Sequence, residues 1–135
     1  MIRKDYIQRY FDELAKVLAA VLQLKQNQEP EKAETHLDEF GLTFLNININ
    51  DFIENTENKW VEKLITQHHF EMIQFKILED LLYHKYLLNP LNKPLKNCTL
   101  EVLNYVAQHS TDFSIERLNR MNQLKNSSSK GEDLG

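Results

Sequence analysis

The spacing of histidines and acids is the one pattern in this chain from which catalysis or metal binding could be built. Asp80 and His84 stand four residues apart, which on a helix lets two side chains meet one ion, and His68, His69 and Glu71 lie just upstream. A metal site needs three or four converging ligands, and a structural reading competes with it. His84 continues the apolar series Phe70, Ile73, Ile77 and Leu81, as a histidine at the edge of a core does. His68 and His69 fall at a helix junction, where imidazole meets the carbonyl end of a helix favourably. The set His68, His69, Asp80 and His84 therefore defines the alternative reading, a small helical enzyme or metal-binding protein, and no cofactor is expected.

Nucleophilic chemistry finds less support. Cys98 sits beside Thr99 in what reads as a linker, without a histidine base or a glycine-rich oxyanion turn nearby, and Ser127 to Ser129 lie in a polar tail. The three glycines, Gly41, Gly131 and Gly135, stand apart, so there is no phosphate-cradling loop. Partner recognition is the stronger theme. Tyr6, Tyr10, Trp60, Tyr83 and Tyr105 are candidate aromatic anchors, each equally able to complete a core, and Lys59 and Lys63, one helical turn apart, could receive an acidic peptide.

The elements that must carry these residues read as helices. Leu, Glu, Lys, Gln and Asn dominate, and only three glycines and three prolines interrupt 135 residues, too few breakers for a many-turned β-protein. In the first helix Ile7, Phe11, Leu14, Leu18 and Val21 recur at three- and four-residue steps; Tyr10, Val17, Leu22 and Leu24 widen the stripe, and Ala15, Ala19 and Ala20 would admit a close neighbour. Pro30 suits the first turn of a second, antiparallel helix carrying Ala33, Leu37 and Phe40 inward, with Glu31, Glu34, Asp38 and Glu39 toward solvent and Gly41 as its C-terminal cap.

Asn46 to Asn50 reads as a loop entering a short helical turn at Asp51 to Glu54. A helix follows over about residues 57–67, burying Trp60, Val61, Leu64 and Ile65. Another, over about 70–88, has apolar stripes on two sides and so belongs inside a stack. Asn89 to Asn97, with Pro90 and Pro94, is the expected linker. Leu100, Leu103, Val106 and Ala107 mark the next helix. Ser114 caps the last, where Phe113 and Leu118 have the spacing of a hydrophobic staple and Ile115, Leu118, Met121 and Leu124 would pack inward. Residues 1–124 form one domain, and Lys125 to Gly135 a polar tail expected to fray.

A formal charge of −4 argues against broad nucleic-acid binding, and the basic cluster Arg117, Arg120, Lys125 and Lys130 is diluted by Glu116, Glu132 and Asp133. The longest apolar block, Leu14 to Leu24, is broken by Lys16 and Gln23, and the charged start Arg3, Lys4 and Asp5 does not lead a secretory signal. With one cysteine, the expectation is a cytoplasmic protein off the membrane.

At Pro30, Glu31, Lys32 and Ala33 the first hairpin resembles a tetratricopeptide unit, in which a small alanine early in the second helix packs on the first. More broadly, DYIQR (Asp5 to Arg9), LAKVLAAVLQLK (Leu14 to Lys25), the EKA of Glu31 to Ala33, and FSIERL (Phe113 to Leu118) followed by Leu124 resemble a group of small bacterial tetratricopeptide-like proteins. That resemblance implies antiparallel hairpins stacked in a short array and transfers no activity or site residue. The expectation is an all-α, tetratricopeptide-like array of five to six helices. It would act as a non-enzymatic protein–protein interaction or scaffold module, and could cover its exposed apolar end as a homodimer.

Overall fold

The computed structural model describes the backbone of residues 4–54 and 59–134 and the side chains of residues 7–54 and 59–126. Among the described residues the chain is all-helical, with seven helices: α1 (Lys4–Gln26), α2 (Pro30–Leu45), α3 (Ile49–Glu54), α4 (Trp60–Thr66), α5 (Met72–Leu88), α6 (Lys93–His109) and α7 (Ile115–Leu134). No helix among them is long and apolar enough to cross a membrane.

The first hairpin closes through Gln28, whose φ of 62° is left-handed. Glu29 N–H then donates to Leu24 C=O at 2.8 Å and Gln28 N–H to Lys25 C=O at 3.1 Å, satisfying two carbonyls that the end of α1 would otherwise leave open. Pro30 opens α2 as expected. Leu14 and Val21 of α1 are buried with Ala33, Leu37 and Phe40 of α2, and Tyr10 meets Phe44 edge-on. Ala15 and Ala19 are not the close-approach residues; both face solvent, as does Leu22.

Gly41 does not cap α2. The helix runs on to Leu45 and ends at Asn46, itself left-handed with φ 55°. Gly41 is buried, and a Cβ there would lie 2.8 Å from Ile49 Cδ1, so its lack of a side chain admits the α3 isoleucine rather than a turn. The extra helix relative to the expected five or six is α3, which extends the foreseen turn. Asn48 Oδ1 accepts from Asp51 N–H, and Ile47, Ile49 and Ile53 are all buried.

Helix α4 is held at its first two residues. Glu101 of α6 accepts from Val61 N–H, and the buried Trp60 indole donates to Ile53 C=O at 3.2 Å. Leu64 is buried with Trp60, whereas Ile65 is exposed.

Helix α5 begins with a reciprocal capping box between Glu71 and Gln74. As the two stripes require, it is central: Phe75, Ile77, Leu78, Leu81, Leu82 and Tyr86 are buried, with α2 on one side and α6 on the other. The expected linker is shorter than read. Asn92 accepts from Leu95 N–H and Pro94 falls in the first turn of α6, so Leu95 and Cys98 are core residues of a helix. Proline costs nothing there, because first-turn amides have no intrahelical partner.

The layers follow from pairwise contacts. Lys85 and Asn89 of α5 bond to Asp38 and Glu34 of α2 in inverse order, so α2 and α5 are antiparallel. α1 packs on α2, α2 on α5, α5 on α6 and α6 on α7, while α3 and α4 rest on α6. Glu34 and Asp38 are therefore half-buried ion partners and not solvated surface. Ser114 caps α7 by accepting from Arg117 N–H at 3.1 Å. The predicted staple does not form, since Phe113 and Ile115 are 76% and 67% exposed and Leu118 also faces out; Arg117, Arg120, Met121 and Leu124 point inward instead.

Candidate functional site

A cleft of about 450 Å³ opens between the start of α1, the first half of α5 and the start of α7. α1 contributes Ile7 and Phe11, α5 contributes Ile73, Lys76, Glu79 and Asp80, and the α7 side contributes Asp112, Ser114, Glu116, Arg117 and Arg120. The helical period explains the lining: Ile73, Lys76 and Asp80 are three and four apart on α5, and Arg117 and Arg120 are three apart on α7.

One wall of this cleft is a ladder of polar contacts between α5 and α7. Lys76 Nζ lies 3.0 Å from Asp112 Oδ1, and Asp112 also accepts from the Ser110 hydroxyl. These two donors hold the Asp112 carboxyl down at about 2. Arg117 Nε–H is shared between Glu79 Oε1 at 2.9 Å and Oε2 at 3.0 Å. Arg120 reaches Asp80 at 2.6 Å and Glu116 at 2.7 Å, with its guanidinium 4.3 Å from the centre of the Tyr83 ring. The Tyr83 hydroxyl donates to Gln123 at 2.7 Å. Residue numbers rise together on both sides, so α5 and α7 run parallel.

Glu79 is the most perturbed group of the cleft. Burial pushes its carboxyl up to about 7, Arg117 opposes that rise, first by charge and then by its hydrogen bonds, and the neighbouring Asp80 adds to it. His84, one turn further along α5, is held below its ordinary value by burial and then by Arg120.

The histidines and acids that suggested metal chemistry do not converge. Asp80 is engaged by Arg120, His84 meets Tyr83 edge-on, and His68 lies edge-on to Phe52 and Phe70; His69 is exposed in a left-handed turn with φ 54°. Among the described residues no group of three or more His, Cys, Asp or Glu could hold a metal ion. Cys98 is fully buried, and burial raises its thiol well above the usual range.

The expected partner-binding residues are dispersed. Tyr10 lines a second cleft, about 450 Å³, with Arg9, Glu13, Thr43 and Phe44. Lys63 lines a third, about 310 Å³, with Asn46, Phe52 and His68 among others. Lys59 is exposed before α4, Trp60 is core, Tyr83 belongs to the α5–α7 ladder and Tyr105 stacks on His109. The Tyr6 side chain lies outside the described residues. Sequence reasoning missed Glu79, Arg117 and Arg120 as one cluster, although a carboxylate inside the apolar run Ile77 to Leu82 and two arginines three apart were its visible signals. No family model matches the chain, and comparison with curated proteins and with solved structures finds no significant similarity.

Proposed function

We propose that this chain is a non-enzymatic interaction module, a short tetratricopeptide-like array in which α1 with α2 and α5 with α6 are stacked hairpins and α7 closes the end. The cleft between α1, α5 and α7 seats a segment of a protein partner. One observation carries the reading: Ile7, Phe11 and Ile73, all half-buried, line an open cleft whose ionic groups are already matched to each other. Such a surface offers apolar anchoring and a polar rim, the composition of a docking groove. Asp112 and Glu116 are the exposed charges at its mouth, which favours a partner segment with basic flanks.

The test is affinity capture by the tagged chain against Ile7→Glu, with melting measured on both. A stoichiometric protein retained by the parent and lost by a still-folded Ile7→Glu supports the reading. The same capture by both proteins removes the cleft from it.

Self-association is a second reading, favoured by the outward Phe113, Ile115 and Leu118 near the start of α7. Light scattering on Leu118→Lys against the parent decides it. A dimer that becomes monomeric supports the reading, and a parent that is monomeric at high concentration ends it.

A further inference from the structure

The apolar stripe of α1 is longer than the cleft it enters. Ile7 and Phe11 line the cleft, and the helical period carries the same side on to Leu18 and Leu22. Phe11 and Leu18 are only half-buried, and Leu22 is 51% exposed. From Ile7 to Leu22 the ridge is about 22 Å long, about four helical turns. Ala15 and Ala19, both facing solvent, border it and leave room for another helix to approach closely. α1 packs on α2 and α5 while α7 packs on α6, so the two walls are separate elements with a groove between them.

The opposite wall is charged, and its exposure is one-sided. The side chains of Asp112 and Glu116 are 56% and 73% exposed, against 27% for Lys76, 10% for Arg120 and 7% for Arg117. Asp80, Asp112 and Glu116 each bond a cation through one oxygen, and the second oxygen of each accepts no hydrogen bond among the described residues. Glu79 is 7% exposed and commits both its oxygens to Arg117. The cations are turned inward and the open acceptors outward, so a docking segment meets negative charge on this side.

The main chain of α1 is hydrogen-bonded within its own helix and offers an occupant of the ridge no partner. An extended segment would strand amides and carbonyls against apolar side chains, whereas a helix satisfies its own. Given the docking role proposed for the cleft, we infer that the groove seats an amphipathic basic helix of a protein partner. Its apolar side lies along Ile7, Phe11, Leu18 and Leu22, and its lysine or arginine side meets Asp112 and Glu116.

The probes are two helical peptides of about fifteen residues, one of leucine and lysine and one of leucine and glutamate in the same spacing. Fluorescence anisotropy and amide chemical shifts follow their binding to the full chain. The lysine peptide should bind roughly tenfold or more tightly than the glutamate peptide, weaken as salt is raised, and shift the amides of Phe11, Leu18, Leu22 and Glu116. Asp112→Lys with Glu116→Lys should reverse the preference. Equal affinities, no binding of either peptide, shifts confined to other surfaces, or a preference that survives the reversal in a folded chain overturns the proposal. Should that double variant not fold, Leu22→Gln replaces it, at an exposed position: affinity for the lysine peptide should fall several-fold, and unchanged affinity sinks the helix. Tighter binding of the glutamate peptide at the same amides would overturn the basic helix and leave the cleft a docking site. Capture indifferent to Ile7→Glu is, by contrast, the failure of the cleft itself.

Discussion

Lys85 Nζ lies 2.6 Å from Glu34 Oε2 and 2.7 Å from Asp38 Oδ1, which makes one buried ammonium the electrostatic join between α2 and α5. Its side chain is 2% exposed while the two carboxylates are about one third exposed, so the desolvation burden falls on the lysine. Glu34→Ala with Asp38→Ala should therefore cost about 3–5 kcal/mol in urea unfolding, because it strands a buried cation. Lys85→Met should cost less, since the acids it frees can reach water. A double alanine variant milder than Lys85→Met would contradict this account.

Gln28 holds a left-handed φ of 62° without the freedom of glycine. Gln28→Gly should stabilise the chain by about 1 kcal/mol and raise Tm by a few degrees. Asn46, also left-handed, tolerates that region better, so Asn46→Gly should change less. Calorimetry of the two variants gives the ranking, and a lowered Tm for Gln28→Gly would refute it.

The Cys98 thiol, enclosed in α6 and raised well above its usual range, should resist thiol reagents in the native chain. Its labelling should follow global unfolding and accelerate steeply with denaturant. Rapid native labelling would mean that α6 opens locally.

His84 should set an acid limit on stability. Its value is lowered in the fold, so the neutral ring's contribution is intact above the unfolded value and is lost as pH falls below about 6.5. Because Glu79 has the opposite slope, the clean comparison is Glu79→Gln against Glu79→Gln with His84→Gln. The second should melt with a flatter acid limb. Identical limbs would show that His84 is not the group responsible.

Sequence periodicity made most of the helices legible because apolar residues three and four apart have one plausible use. The two-sided stripe on α5 likewise announced its central position. What periodicity could not supply was partnership. Glu34 and Asp38 looked solvated until Lys85, roughly fifty positions away, was seen to need them, and Pro94 looked like a break because its place in a first turn depends on Asn92 capping α6. Gly41 was misread for the same reason: the cause of its missing side chain is Ile49, on another helix. The cleft was hidden similarly, as Glu79 and Arg117 lie 38 residues apart and each alone resembles an ordinary helix charge.

The ladder between α5 and α7 also restricts how the last helix can settle. Along α5 the rungs run cation, anion, anion, phenol, and along the α7 side anion, cation, cation, amide. Sliding α7 by one turn in one direction would set Arg117 against Lys76; sliding it in the other would set Asp112 against Glu79 and Asp80. Both misalignments bring like charges together, so the sequence carries a proofreading code for its own final docking step, one that shape alone could not provide between two helices of such similar pitch.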